Sequence, residues 1–175
     1  MRKVLVVIDM QNDFVDGALG TAEAVAIVPK VAEKILEYEP EDVYFTRDTH
    51  YADYLDTQEG RNLPVVHCVE GTDGWQLCPA VRALVRDSTV VDKPTFGSNR
   101  LAALLMVERA QQAMEFELVG LCTDICVVSN ALLLKAAMPE APITVDAACC
   151  AGVTPEKHRA ALETMKSCQI RVIHE

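Results

Sequence analysis

Short continuous apolar runs alternate along this chain with segments whose apolar positions recur at helical spacing. Lys3 to Ile8 is a Val/Leu/Ile run without polar alternation, which predicts a strand buried on both faces. Glu23 to Tyr38 has helical spacing, with Val25, Val28, Ala32, Ile35 and Leu36 sharing a face. Asp42 to Thr46 predicts a second strand, Pro79 to Arg86 a short helix with Pro near its start, and Thr89 to Val91 a third strand. Asn99 to Gln112 reads as a helix capped by Asn99 or Ser98, Glu115 to Val119 as the fourth strand, and Ile125 to Met138 as the next helix. Pro142 to Val145 is the fifth strand. Pro155 to Cys168 is a helix with Thr154 as N-cap and Pro155 in the first turn, and Ile170 to Ile173 is the last strand. Strands separated by helices need crossover connections. The expected fold is therefore α/β, with six parallel strands and helices on both faces. Asp48 to Gln76 breaks the pattern: it is polar, contains Gly and keeps no period, and a loop that long inside a compact unit is usually functional.

Composition narrows the classes. A chain of 175 residues is most simply one domain over 1–175, and a hydrophobic share of 50% supplies a sizeable core. Aromatics make up only 5%, so Ala, Val and Leu do most of the filling, as suits α/β packing. The formal net charge of -10 argues against a nucleic-acid or anionic-membrane binder. Met1 to Gln11 resembles a signal peptide only superficially, because Asp9 and Asp13 interrupt it and no small-residue cleavage site follows. No apolar stretch approaches the ~18 residues that span a bilayer. A soluble, cytoplasmic protein is expected. The cysteines, Cys68, Cys78, Cys122, Cys126, Cys149, Cys150 and Cys168, are odd in number and lack zinc-finger spacing, so free thiols are expected.

Candidate chemistry follows from the strand ends, since sites in open parallel sheets form outside the carboxyl ends of the strands. The first strand runs into Asp9, the second into Arg47-Asp48 with His50 beyond, and the third into Asp92-Lys93. The fourth leads through Gly120-Leu121-Cys122-Thr123-Asp124-Ile125-Cys126, which reads as a tight turn placing Cys126 in the first turn of a helix. A thiol there faces unpaired N–H groups and a positive dipole end, which favour the thiolate. Each residue alone has an ordinary explanation: a buried small hydrophobe for Cys126, a turn residue for Asp9, a solvated charge for Lys93. Their coincidence on one rim makes a nucleophile with charged partners the better reading.

These segments carry a resemblance. With Asp9-Met10-Gln11-Asn12-Asp13-Phe14, Asp48-Thr49-His50, Val91-Asp92-Lys93-Pro94 and Gly120 to Val127, the chain resembles the cysteine-hydrolase branch of the isochorismatase-like family, and nicotinamidases most. The resemblance spans nearly the full length. It implies a three-layer α/β/α, Rossmann-like fold and a triad of Asp9, Lys93 and Cys126. It also implies an oxyanion hole from the backbone N–H groups of Cys122 and Cys126, and a cis bond between Leu121 and Cys122. The implied activity is hydrolysis of nicotinamide to nicotinate and ammonia through a thioester. The alternative is a cysteine amidase or ureidohydrolase of the same family, acting on another small amide without a catalytic metal. The isochorismate-cleaving branch lacks the nucleophilic cysteine, so Cys126 argues against it.

Asp48, His50 and His67 bracket the long loop, and their donor types suit Zn, Mn or Fe. In nicotinamidases the matching Asp and two His residues bind one divalent ion together with a third side chain from mid-loop. Many relatives use His there. Here the candidates are Glu59 and Asp56, with Glu59 preferred because some nicotinamidases of this loop type use Glu. Zinc is the first expectation for the ion. Many nicotinamidases also place a Trp just before the second metal His, where this chain has Leu63-Pro64-Val65-Val66-His67. Phe14 and Phe96 remain as ring walls, and Trp75 reads equally well as packing under the loop. Relatives are commonly dimers or tetramers, so a homo-oligomer is implied. Leu132 to Leu134 could serve its contacts or the core. The implied partner is a small-molecule amide, with no nucleic acid and no membrane.

Overall fold

A computed structural model of the chain describes residues 1–175. In chain order its main elements are β1 (Arg2–Ile8), α1 (Asn12–Val15), α2 (Ala22–Ile35), β2 (Val43–Asp48), α3 (Gln58–Asn62) and α4 (Pro79–Arg82). Then follow β3 (Thr89–Lys93), α5 (Asn99–Arg109), β4 (Met114–Leu121), α6 (Val128–Ala137), β5 (Ile143–Ala151), α7 (Pro155–Ser167) and β6 (Arg171–Ile173). The strands form one sheet in the order β3-β2-β1-β4-β5-β6, and every pairing is parallel. The architecture is three-layer α/β/α.

Period-two alternation divides the core. Val4, Val6 and Ile8 of β1 pack towards α5, α6 and α7, whereas Leu5 and Val7 pack towards α2 and α4. The adjacent thiols of Cys149 and Cys150 split in the same way, one to each layer. Side-chain caps fix the helix starts. Thr21, Thr57, Ser98 and Thr154 each accept an N–H from the first turn of the helix they precede, and such a cap is typically worth about 1 kcal/mol. No helix is long and apolar enough to cross a membrane.

Several boundaries differ from the sequence expectation. The buried face of α2 is Ala24, Ile27, Val31 and Ile35, with Val25 and Leu36 exposed. The small Ala24 lets α2 approach the sheet, and the helix ends at Ile35, short of Leu36. β5 runs six residues further than expected, to Ala151, because it loops out mid-strand: Leu118 pairs with Val145, but Gly120 pairs with Cys150. Cys149 and Cys150 thus fall among the last residues of β5, beside its carboxyl end. The segment before α6 opens as a π turn over Thr123–Val127, so the α-helix starts later than expected. Asp48 to Gln76 also holds a 3₁₀ turn (Tyr54–Asp56) and α3. Leu134 is buried and Leu132 packs on the same core, while Leu133 lies against Gly97.

Candidate active site

β1 and β4 lie side by side but leave the sheet in opposite directions of strand order, which opens a crevice at their carboxyl ends. Asp9 stands at one lip, immediately after β1, with φ of 47°. That left-handed conformation is uncommon for a residue with a side chain and costs roughly 1–3 kcal/mol, retained where the surroundings hold it. Here they do. The Asp9 N–H donates to the Thr46 backbone carbonyl, the Thr46 hydroxyl donates to Asp9 Oδ1 at 2.6 Å, and Asp9 is fully buried.

Lys93 closes β3, where it pairs in register with Asp48 of β2. Its side chain is 1% exposed, and its ammonium meets three groups. Nζ stands 2.6 Å from Asp9 Oδ2, 3.3 Å from Cys126 Sγ and 3.3 Å from Asp48 Oδ1. Burial works against that charge, but Asp9, Cys126 and Asp48 outweigh it and push the lysine above its ordinary value. Burial raises the Asp9 carboxyl, Lys93 opposes it and Asp48 adds to it, with a net upward shift. Asp9 Oδ2 is buried against the Lys93 ammonium, which also contacts the Cys126 sulfur and so holds carboxylate and thiol together.

Cys126 is buried in the π turn. Burial and the Asp9 charge drive the thiol well above its ordinary value, with Lys93 opposing. The helix-terminus effect that favours the thiolate is thus opposed by desolvation and a neighbouring anion. The Leu121–Cys122 bond is cis, and the Cys122 N–H has no backbone acceptor.

The loop returns a second constellation to the same rim. One ligand atom each from Asp48, His50, Glu59 and His67 lies within 4.8 Å of the others. Asp48 Oδ2 is 2.9 Å from His50 Nε2 and 3.7 Å from His67 Nε2, and Glu59 Oε1 is 3.6 Å from His50 Nε2. His67 Nδ1 lies 2.7 Å from the Val65 carbonyl, which fixes that nitrogen as donor and leaves Nε2 as a lone pair. His50 Nε2 is buried and faces the Asp48 and Glu59 carboxylates. A divalent cation with bonds of about 2.1 Å holds its ligand atoms roughly 3–4 Å apart, so the set fits one. Two carboxylates balance its charge. Burial raises Asp48, but the His50 hydrogen bond and Lys93 outweigh it and lower the carboxyl, keeping it ionised as a ligand must be. Asp56 is left outside, exposed in its turn.

Between the two constellations lies a cavity of about 610 Å³, bordered by Phe14, Phe96, Cys122, Cys126, Glu59 and His67. Trp75 is not in its wall. Its Nε1 donates to Thr49 Oγ1 at 2.9 Å and the Arg47 guanidinium stacks 3.6 Å over its ring, so it braces the loop from below.

Several supporting residues escaped the sequence reading. Gln11, fully buried, accepts the Asp48 N–H at 2.7 Å and donates to the Asp48 carbonyl at 2.9 Å, fixing that ligand by its backbone. Its place in the Asp9 to Phe14 motif was the available signal. Tyr54 packs its ring against both His50 and His67, and nothing in its local sequence announces that.

An isochorismatase domain family model matches residues 3–174. Among solved structures, a pyrazinamidase of Pyrococcus horikoshii in complex with zinc is 27% identical, with all of both chains covered and a TM-score of 0.82. A nicotinamidase/pyrazinamidase of Bacillus subtilis is 29% identical over 99% of this chain and 100% of its own, with a TM-score of 0.84. A pyrazinamidase/nicotinamidase of Streptococcus mutans is 26% identical over 98% and 99%, with a TM-score of 0.84. A comparison with curated proteins finds no match.

Proposed function

The chain belongs to the isochorismatase family, and from that premise we propose that it converts nicotinamide to nicotinate and ammonia through a thioester on Cys126. One observation carries the reading. Lys93 joins a carboxylate and a thiol at 2.6 and 3.3 Å to a four-residue metal-ligand set, all on one cavity.

Asp9 takes the thiol proton as Cys126 Sγ attacks the carboxamide carbon. Burial raises the proton affinity of the Asp9 carboxylate, which makes it a stronger base towards that thiol. Lys93 stays charged and holds both partners in place. The N–H groups of Cys122 and Cys126 receive the negative charge that develops on the carbonyl oxygen, and each such donor is worth roughly 3 kcal/mol. Asp9 then delivers its proton to the departing ammonia. Water enters, gives a proton to Asp9 and attacks the thioester carbon. The acid leaves, and the proton returns to sulfur.

Asp48, His50, Glu59 and His67 would hold one divalent ion, with zinc first in order. That ion would bind the pyridine nitrogen and orient the amide. Phe14 and Phe96 flank the ring.

Purified protein loaded with zinc is assayed for ammonia release from nicotinamide and from a panel of small amides, beside Cys126→Ala. The expected result is turnover of nicotinamide, lost in the variant, with about one divalent ion per chain. A cavity without a Trp wall favours a second reading, a family amidase for a different small amide. Turnover of another amide with none of nicotinamide selects it.

A further inference from the structure

Asn130 takes part in neither constellation, yet it is 1% exposed in the first turn of α6 and its amide makes three bonds to backbone. Nδ2 donates to the Cys126 carbonyl at 2.8 Å and to the Phe96 carbonyl at 3.1 Å. Oδ1 accepts the Ser98 N–H at 2.9 Å. The amide thus spans two segments distant in sequence. One is the turn that carries the nucleophile. The other is the stretch from Pro94 to Ser98 that leaves Lys93, forms a cavity wall at Phe96 and enters α5.

The chemistry of the side chain matches this task and few others do. The three backbone groups are two acceptors and one donor, and an amide supplies two donors and one acceptor in one plane. A carboxylate would face two carbonyls without a proton to give. An aliphatic side chain would leave the Ser98 N–H, on a residue that is itself 3% exposed, without a partner. A second, independent observation shows how closely the wall is seated. A Cβ added at Gly97 would lie 2.5 Å from Leu133 Cδ1 and 3.3 Å from the Ser129 carbonyl of α6. The segment rests closely on α6, and Asn130 of the same helix ties it there.

We propose that Asn130 is a positioning residue that sets the spacing between the Cys126 thiol and the Phe96 wall, and so determines how an aromatic amide is presented to sulfur. The proposal rests on the reading of Phe96 as a ring wall, and its test reads the thiol directly rather than turnover. Failure of the protein to hydrolyse nicotinamide therefore leaves the test standing.

Alkylation of Cys126 is followed by intact mass with peptide mapping, using iodoacetamide and its N-benzyl analogue. The quantity of interest is the ratio of the two rates, aryl over plain. Misplacement of a bound group by about 1 Å is costly, so the ratio is expected to fall roughly tenfold in Asn130→Ala. It should fall similarly in Phe96→Ala, and no further in the double variant, because the first acts through the second. A structural role alone would lower both alkylation rates or the melting temperature together and leave the ratio at its wild-type value. Gly97→Val displaces the same segment with Asn130 intact, so it serves if Asn130→Ala does not fold, and the same fall is expected. An unchanged ratio in any folded variant of the three, or fully additive effects in the double variant, overturns the proposal.

Discussion

Replacing Lys93 with Met removes the cation that faces Asp9, Asp48 and Cys126 together. Met keeps most of the stem, so packing around this buried side chain is nearly preserved. Two buried carboxylates then lose their counter-ion, which costs about 3–5 kcal/mol if they stay charged. Asp9 can instead take up a proton. Burial already pushes its carboxyl upward and Lys93 opposes that, so the substitution moves it further up. A carboxyl protonated at neutral pH cannot accept the Cys126 proton, and loss of a general base lowers turnover by about 10²–10⁴-fold. The pH dependence of stability has a definite sign. A group raised on folding binds its proton more tightly in the folded state. Its contribution is fully present below the unfolded value of about 3.9 and is lost as pH rises through the folded value, by at most ~1.4 kcal/mol per pH unit. The variant should therefore lose more stability, relative to wild type, at about pH 8 than at about pH 5. Ammonia release is measured on zinc-loaded protein, and urea unfolding on chelated protein so that metal binding does not contribute. Activity within tenfold of wild type, or a stability difference that does not change with pH, would refute the electrostatic role of Lys93.

Three further outcomes follow from the geometry. Glu59→Ala should lower bound divalent metal per chain by at least half at limiting metal concentration, read by elemental analysis, whereas Asp56→Ala should leave it unchanged. Because burial and Asp9 raise the Cys126 thiol, its alkylation rate by iodoacetamide should climb about tenfold per pH unit past the ordinary thiol value near 8.5, without a plateau there. Gly120→Ala should destabilise by about 3–5 kcal/mol in urea unfolding: φ is +119° there, and a Cβ would stand 2.1 Å from the Ile8 carbonyl.

The sheet was legible in the sequence because fully buried parallel strands are continuous apolar runs, as Lys3 to Ile8 is. Strand ends were legible too, since Asp9, Asp48 and Lys93 are polar residues that break such runs. The turn of α2 was not. With a small residue at Ala24 and apolar residues at both Val25 and Leu36, two faces compete, and only contact with the sheet decides between them. The detour in β5 was likewise hidden, because Asp146 inside the strand looks like its end. Its carboxylate is in fact matched by Lys34 and His174, at 3.4 and 3.0 Å, which come from α2 and the chain terminus. Long-range polar pairing of that kind leaves no periodic trace. The same is true of Asn130 and Gln11, whose partners are backbone groups far along the chain. The groups that bear on the Cys126 thiol from outside its turn were hidden as well, since Asp9 arrives from β1 and Lys93 from β3.

The seam between β1 and β4 has a consequence for how the molecule could be divided. Asp9, Lys93 and the four metal-ligand candidates all precede β4, while Cys126 and the Cys122 turn follow it. The two parts meet along a ladder that runs in register from Arg2 opposite Met114 to Ile8 opposite Gly120. Gln111 and Gln112, just ahead of β4, are exposed. A chain cut between them would separate the proposed base from the proposed nucleophile, leaving two silent fragments. Hydrolysis would return only as the ladder re-formed, making ammonia release a direct report of fragment complementation.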